Sequence, residues 1–252
     1  ESTLDIVYYP TNKIRIPVNK KNVLESGLVK EKDSALIVDY IDIDLPTGAL
    51  PKNRILMLDL IANNDWKRPI YFSGGSFDNA EYIWMKDYLQ LDGLVYKLVP
   101  IKTPNRNSFE MGRIDTDLMY DIVKDWEWGN AGSDEIYHDP QTRSQGLSFR
   151  SNLARLMETL IAENKIDEAK ALLAEAGYAD GFEVNFWAGL SGEDIEMSEA
   201  IAADWLNNFN ITATHDRRTY STIRPGLVNR TFPVLRMHGC CGWPGNWPIE
   251  FI

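Results

Sequence analysis

Ile166-Asp167-Glu168-Ala169-Lys170-Ala171-Leu172-Leu173-Ala174-Glu175-Ala176-Gly177 carries its apolar residues at 166, 169, 172, 173 and 176. That spacing puts them on one side of a helix, and Gly177 suits the residue that ends it. The stretch decides the fold because the texture differs on its two sides. Ahead of it, alternating runs are interspersed with helical periods. Behind it, strands and helices follow one another as in an α/β unit.

Working back from this helix, Phe149, Leu153, Leu156, Met157, Leu160 and Ile161 form a second amphipathic stripe, with a short break at Asn164. The pair reads as one tetratricopeptide-like hairpin; a single pair makes no array. Leu118, Ile122 and Val123 predict a further helix ending near Trp126-Glu127-Trp128-Gly129. Earlier still, Lys13-Ile14-Arg15-Ile16 and Ile37-Val38-Asp39-Tyr40-Ile41-Asp42-Ile43-Asp44 alternate as half-buried strands. Pro51 opens a helix whose apolar side is Ile55, Leu58, Leu60 and Ile61. Pro69-Ile70-Tyr71-Phe72 predicts a short buried strand. Asp78 and Glu81, in capping-box spacing, start a helix through Ala80, Ile83, Trp84, Tyr88 and Leu91, and residues 94–99 return as a strand.

Beyond Gly177, Phe182, Val184 and Phe186 predict a strand, and Met197, Ala200, Ile201, Trp205 and Phe209 a helix. Ile211-Thr212-Ala213-Thr214 follows as a strand, then a helix around 220–227 and a strand at 232–237. The expected fold class is α+β. A small mixed α/β region (1–113) leads into a helical segment with the hairpin (114–176) and an incomplete α/β lobe (177–252).

Two resemblances bear on function. Asp65-Trp66-Lys67-Arg68-Pro69-Ile70-Tyr71-Phe72, residues 88–100, and Phe149-Arg150-Ser151-Asn152-Leu153-Ala154-Arg155-Leu156 occur in order within residues 1–170. They resemble the soluble C-terminal region of GT-C-type membrane glycosyltransferases related to protein O-mannosyltransferases. In those enzymes the catalytic acidic residues lie near the first membrane segments, so the resemblance implies an accessory region and transfers no catalytic residue. Residues 169–184 resemble family 5 solute-binding proteins, the peptide- and nickel-type receptors of ABC importers. Ala200-Ile201-Ala202-Ala203-Asp204-Trp205, Tyr220 and residues 224–239 continue that resemblance, although Ala179 replaces the proline usual there. It implies part of the C-terminal lobe of a periplasmic-binding-protein type II fold, without the first lobe needed to clamp a ligand. The chain thus reads as two extracytoplasmic pieces joined inside one helix near 165–176, where the apolar phase runs through unbroken.

Composition narrows the classes. With 26 basic against 37 acidic residues the net charge is −11, which disfavours nucleic acid and anionic lipid. No apolar run approaches a membrane span. His238-Gly239-Cys240-Cys241 invites a metal, but adjacent cysteines rarely reach one ion, so no metal and no cofactor are expected. Ser73-Gly74-Gly75-Ser76 lacks the lysine of a P-loop and reads as a turn. Asp117, Asp121 and Asp125 read as a solvated helix face rather than a carboxylate cluster. Catalytic residues are expected to be absent. The ligand-contact candidates are Tyr220, which the second resemblance carries, and Trp243 and Trp247, whose rings suit a peptide or sugar cleft and equally suit packing onto core.

The leading expectation is a non-catalytic protein of the extracytoplasmic or periplasmic face of a bacterial inner membrane, binding a peptide or other small solute through its back half. The alternatives are the accessory region of a membrane-embedded protein glycosyltransferase, with a membrane-protein partner, or a fused piece without selected function. Apolar surface left open at Trp243, Trp247, Phe251 and Ile252 predicts self-association through the C-terminal segment, or docking of that segment back onto the front half.

Overall fold

In the computed structural model, the described residues are 11–45, 50–73, 83–103, 111–131, 133, 135–188, 192–217, 219, 221 and 235–237. They form a mixed α/β chain with three small sheets. It divides into two compact units, Glu1–Thr159 and Leu160–Ile252.

In the first unit the alternation at the front becomes an antiparallel pair, β1 (Lys13–Pro17) with β2 (Tyr40–Asp44). Ile16, Ile41 and Ile43 point into the core, while Arg15 pairs with Asp42 at 2.7 Å and Lys13 with Asp44 at 3.3 Å outside. Between the strands lie α1 (Lys20–Glu25), capped by the Asn19 side chain, and a 3-10 turn, Glu31–Leu36. The predicted strand start at Ile37-Val38-Asp39 is shorter in fact: Ile37 makes only an isolated bridge to Ile101.

Pro51 precedes α2 (Lys52–Asn63), as its fixed φ favours. Only Leu58 and Ile61 of its predicted apolar side are buried; Ile55 and Leu60 are 51% and 68% exposed. Leu58 and Ile61 share one face at a spacing of three, whereas Ile55 and Leu60 lie on opposite flanks of it.

The second sheet has the order β3-β5-β4, from β3 (Tyr71–Ser73), β4 (Leu89–Asp92) and β5 (Val95–Leu98). Two expectations fail here. The strand expected to be buried at 69–72 is an edge strand, and Tyr71 is half exposed. Leu91 belongs to β4, not to a helix continuing from Tyr88; the helical part is a 3-10 turn over Ile83–Tyr88. The strand wins because Asp92-Gly93-Leu94-Val95 closes a two-residue hairpin, with Gly93 at φ +65. A Cβ at Gly93 would also stand 3.0 Å from Ile122. The start signal at Asp78 and Glu81 lies outside the described residues.

α3 (Thr116–Lys124), capped by Asp115, buries Met119 and Val123. α4 (Pro140–Ala162) follows, and Trp126 meets Trp128 and Phe149 edge to face while Trp128 and Phe149 are tilted, with ring centres 5.2–5.7 Å apart.

The second unit opens on the end of α4. Asn164, at φ +59, sits between two bonds, Lys165 N–H to Leu160 O and Asn164 N–H to Ile161 O. This is a Schellman stop, and α5 (Ile166–Leu173) starts directly after it. A single π-turn, Ala174–Tyr178, contains Gly177 at φ +91. Then β6 (Glu183–Ala188), α6 (Gly192–Phe209) and β7 (Thr212–Arg217) make a parallel crossover unit, and β8 (Leu235–Met237) pairs in parallel on the other side of β6. The helix expected at 220–227 lies outside the described residues apart from Ser221.

The start of β6 depends on Gly181. At φ +77, a Cβ there would stand 2.0 Å from the Asn210 carbonyl oxygen. Asn210 in turn donates its side-chain amide to Asp180 O at 2.6 Å. Gly181→Ala is expected to destabilise this unit by about 3 kcal/mol. Gly177→Ala, with nothing within 4 Å of its Cβ, should cost only about 1 kcal/mol. Thermal unfolding of both variants checks the order; equal losses would contradict it.

Candidate functional site

The Asp65-Trp66 pair of the first resemblance supplies the most constrained backbone of the first unit. Both residues have positive φ, +49 and +59, which side-chain-bearing residues rarely adopt in succession. The gain is visible on either side. Trp66 is 4% exposed and donates its indole N–H to Pro17 O at 2.9 Å. Asp65 accepts from Asn19 at 3.1 Å and from Asn22 at 2.8 Å, while Lys67 stands 3.2 Å away. Asn19, then Lys67, hold the exposed Asp65 carboxyl below its ordinary range. These groups satisfy one another, and the arrangement anchors α2 to the end of β1.

A second group links the 3-10 turn to the start of α3. Lys32 contacts both Asp115, at 3.0 Å, and Asp117, and Arg113 meets Asp33 at 2.7 Å. Burial alone would raise Asp115. The hydrogen bond from Lys32, the charges of Lys30 and Lys32, and the Leu118 N–H outweigh it and hold the carboxyl low. Burial alone would lower Lys32, but its bonds to Asp117 and Asp115 leave it above the usual lysine value. The predicted row Asp117, Asp121 and Asp125 is therefore no cluster. Asp117 turns to Lys32, and Asp121 and Asp125 are exposed.

The third group lies on one face of the second sheet. Lys97 and Asp92 pair at 2.9 Å, each about 5% exposed, and Gln90 donates to Asp92 at 2.8 Å. Tyr71 occupies the neighbouring register position on β3, opposite Lys97. Its hydroxyl is raised first by burial and then by the negative charge of Asp92. A buried pair with its charges cancelled favours a specific packing more than proton transfer. Sequence reading missed it because a lysine inside a strand resembles an outward-facing residue. The usable signal was polar residues at 90, 92 and 97, which fall on one face once the hairpin is placed at Gly93.

The described residues also border an apolar groove of about 380 Å³ between β1 and α2, lined by Ile14, Ile16, Leu45, Leu50, Ile55 and Leu58 among others. No group of three or more potential metal ligands occurs among the described residues. Tyr220, Trp243 and Trp247 lie outside the described residues, as do His238-Gly239-Cys240-Cys241 and all of the 73–76 turn except Ser73. In the second unit, the His215 ring nitrogen lies 3.2 Å from the carbonyl oxygen of buried Ser198, a helix-to-strand tie.

With this geometry in view, residues 1–118 match the family model of TMEM260-associated domain 2, a family related to membrane glycosyltransferases. The matched span contains all three polar groups of the first unit. No curated protein matches the chain. Among the described residues no helix is long and apolar enough to cross a membrane.

Two expectations follow. Trp66→Ala should cost about 3–5 kcal/mol, and Trp66→Phe about 1 kcal/mol beyond the volume change, for the lost bond to Pro17. Denaturant unfolding of the two variants separates ring burial from that bond. The second concerns pH. Because Asp115 is held below its unfolded value, its stabilisation is complete above about pH 4 and is lost as pH falls through the lowered folded value. Lys32 behaves in the opposite sense: its contribution is complete at neutral pH and is lost only as strong alkali removes its proton. Asp115→Asn should therefore flatten the acid limb of a stability–pH curve, and Lys32→Met the alkaline limb.

Proposed function

We infer that this chain acts without catalysis of its own, its front unit serving as an extracytoplasmic accessory region of a membrane-embedded protein glycosyltransferase. The single observation that carries this reading is the match of residues 1–118 to TMEM260-associated domain 2. The chemistry of the first unit supports it. Its buried charges are neutralised in pairs and its strained residues are spent on anchoring, so the side chains described offer structure and surface rather than a nucleophile or acid–base couple. Such a region works by holding a partner or acceptor near a membrane-embedded active site. The expected location is the extracytoplasmic side of the membrane, and the expected partner a multi-spanning protein.

The solute-binding reading of the back half, the leading expectation from sequence, has no support from the comparisons. The parallel β7-β6-β8 arrangement suits a receptor lobe, but it suits many α/β proteins equally.

The test is a graft. Residues 1–159 replace the corresponding domain of a transferase carrying this family's domain, and glycosyl transfer to an acceptor peptide is followed in membranes. Transfer well above that of the domain-deleted enzyme is expected, with none from the purified chain alone. A graft that folds and reaches the membrane yet remains as inactive as the deletion would refute the accessory role. Transfer by the purified chain would refute the non-catalytic one.

A further inference from the structure

α2 is apolar on more sides than its own unit covers. Leu58 and Ile61 face the core, yet Ile55, Leu56 and Leu60 are 51%, 62% and 68% exposed. Apolar side chains therefore stand in solvent on both flanks of the buried side of this helix. The outward residues also carry a charge pattern. Lys52, Ile55, Leu56 and Asp59 follow at spacings of three, one and three, so they share an arc about 100° wide. A basic residue starts this stripe, two apolar residues fill its middle, and an acidic residue closes it.

That order is complementary to itself when reversed. A two-fold axis through the stripe between Ile55 and Leu56 brings Lys52 of one copy level with Asp59 of the other, twice. The four apolar side chains then gather at the axis, and Leu60 extends the contact by one turn. Parallel pairing would instead set like charges side by side. An anionic lipid surface is disfavoured by the acidic end of the stripe and by the net charge of −11.

We propose that this face of α2 is the contact of an antiparallel homodimer, centred on Ile55 and Leu56 and set in register by Lys52 and Asp59. The groove beside Ile55 adds apolar surface along the same flank. A twelve-residue helix spans about 18 Å, so it supplies less than a standard interface, and the dimer is a weak one. The proposal is independent of the accessory role.

The experiment is sedimentation equilibrium of the intact chain between about 1 and 300 µM. The variants are Leu56→Asp, Lys52→Glu, Asp59→Lys and the double swap Lys52→Glu with Asp59→Lys. All the changed residues are exposed, and circular dichroism confirms that each variant folds. Leu56→Asp should abolish association. Each single reversal should weaken it about tenfold, since symmetry counts every pair twice. The double swap should return it to within about threefold of the starting affinity, which non-specific apolar contact does not do. A chain monomeric throughout the range overturns the proposal. So does a dimer indifferent to the reversals, or one lost only in a Trp243→Ser, Trp247→Ser variant. Binding of the monomer to neutral phosphatidylcholine vesicles through Leu56, without dimerisation, would likewise overturn it and assign the face to a membrane.

Discussion

The indole of Trp66 can reach the carbonyl of Pro17 only because the chain turns sharply after α2, and two successive residues adopt left-handed backbone to make that turn. The conformation is costly for residues with side chains. It is offset by burial of a large aromatic ring and by the bonds Asp65 takes from Asn19 and Asn22. Through them the end of α2, the end of β1 and the start of α1 become one fixed corner. The core residues Ile16, Val23, Leu58 and Ile61 belong to the elements that converge there. The short word Asp65-Trp66 is thus better understood as architecture than as chemistry.

The other polar groups of the first unit act in the same manner. Lys32 and Arg113 tie together segments about eighty residues apart in sequence, a separation at which local propensity has no influence. Because these pairs are partly or fully shielded, removing one partner leaves a charge in a poor environment, which is costlier than the pair's net contribution. A unit fastened by such pairs can carry an exposed apolar face without losing its own shape. That suits the accessory role proposed for it.

Much of the architecture was legible because it rests on local periodicity. Alternation with charges at Lys13, Arg15, Asp42 and Asp44 predicted β1 and β2, and the crossover of the second unit followed from 182–186, 197–209 and 211–214. What failed were places where two patterns coexist. Trp84, Tyr88 and Leu91 have helical spacing, yet Leu89-Gln90-Leu91-Asp92 also alternates, and only the hairpin at Gly93 decides between them. On α2, both flanks are apolar, so spacing alone could not tell the core side from the open one. The turn at Asp65-Trp66 had little sequence signal, because aspartate tolerates left-handed backbone but tryptophan rarely adopts it. The ligand-contact candidates Tyr220, Trp243 and Trp247 fall outside the described residues, and of the polar groups in the structure the buried set Gln90, Asp92 and Lys97 is the one the sequence had not marked.

The buried pair of Lys97 and Asp92 has a further consequence for how the hairpin finds its alignment. Leu89, Leu91, Tyr96 and Leu98 share one face of β4 and β5; Gln90, Asp92 and Lys97 share the other. Sliding one strand by a single residue would turn all of its side chains over at once. An all-apolar hairpin would tolerate that error, since grease fits either side. Here the slip would thrust an ammonium or a carboxylate among leucines and strand its mate. The ion pair therefore works as a proofreader, making the wrong alignment expensive rather than the right one especially strong.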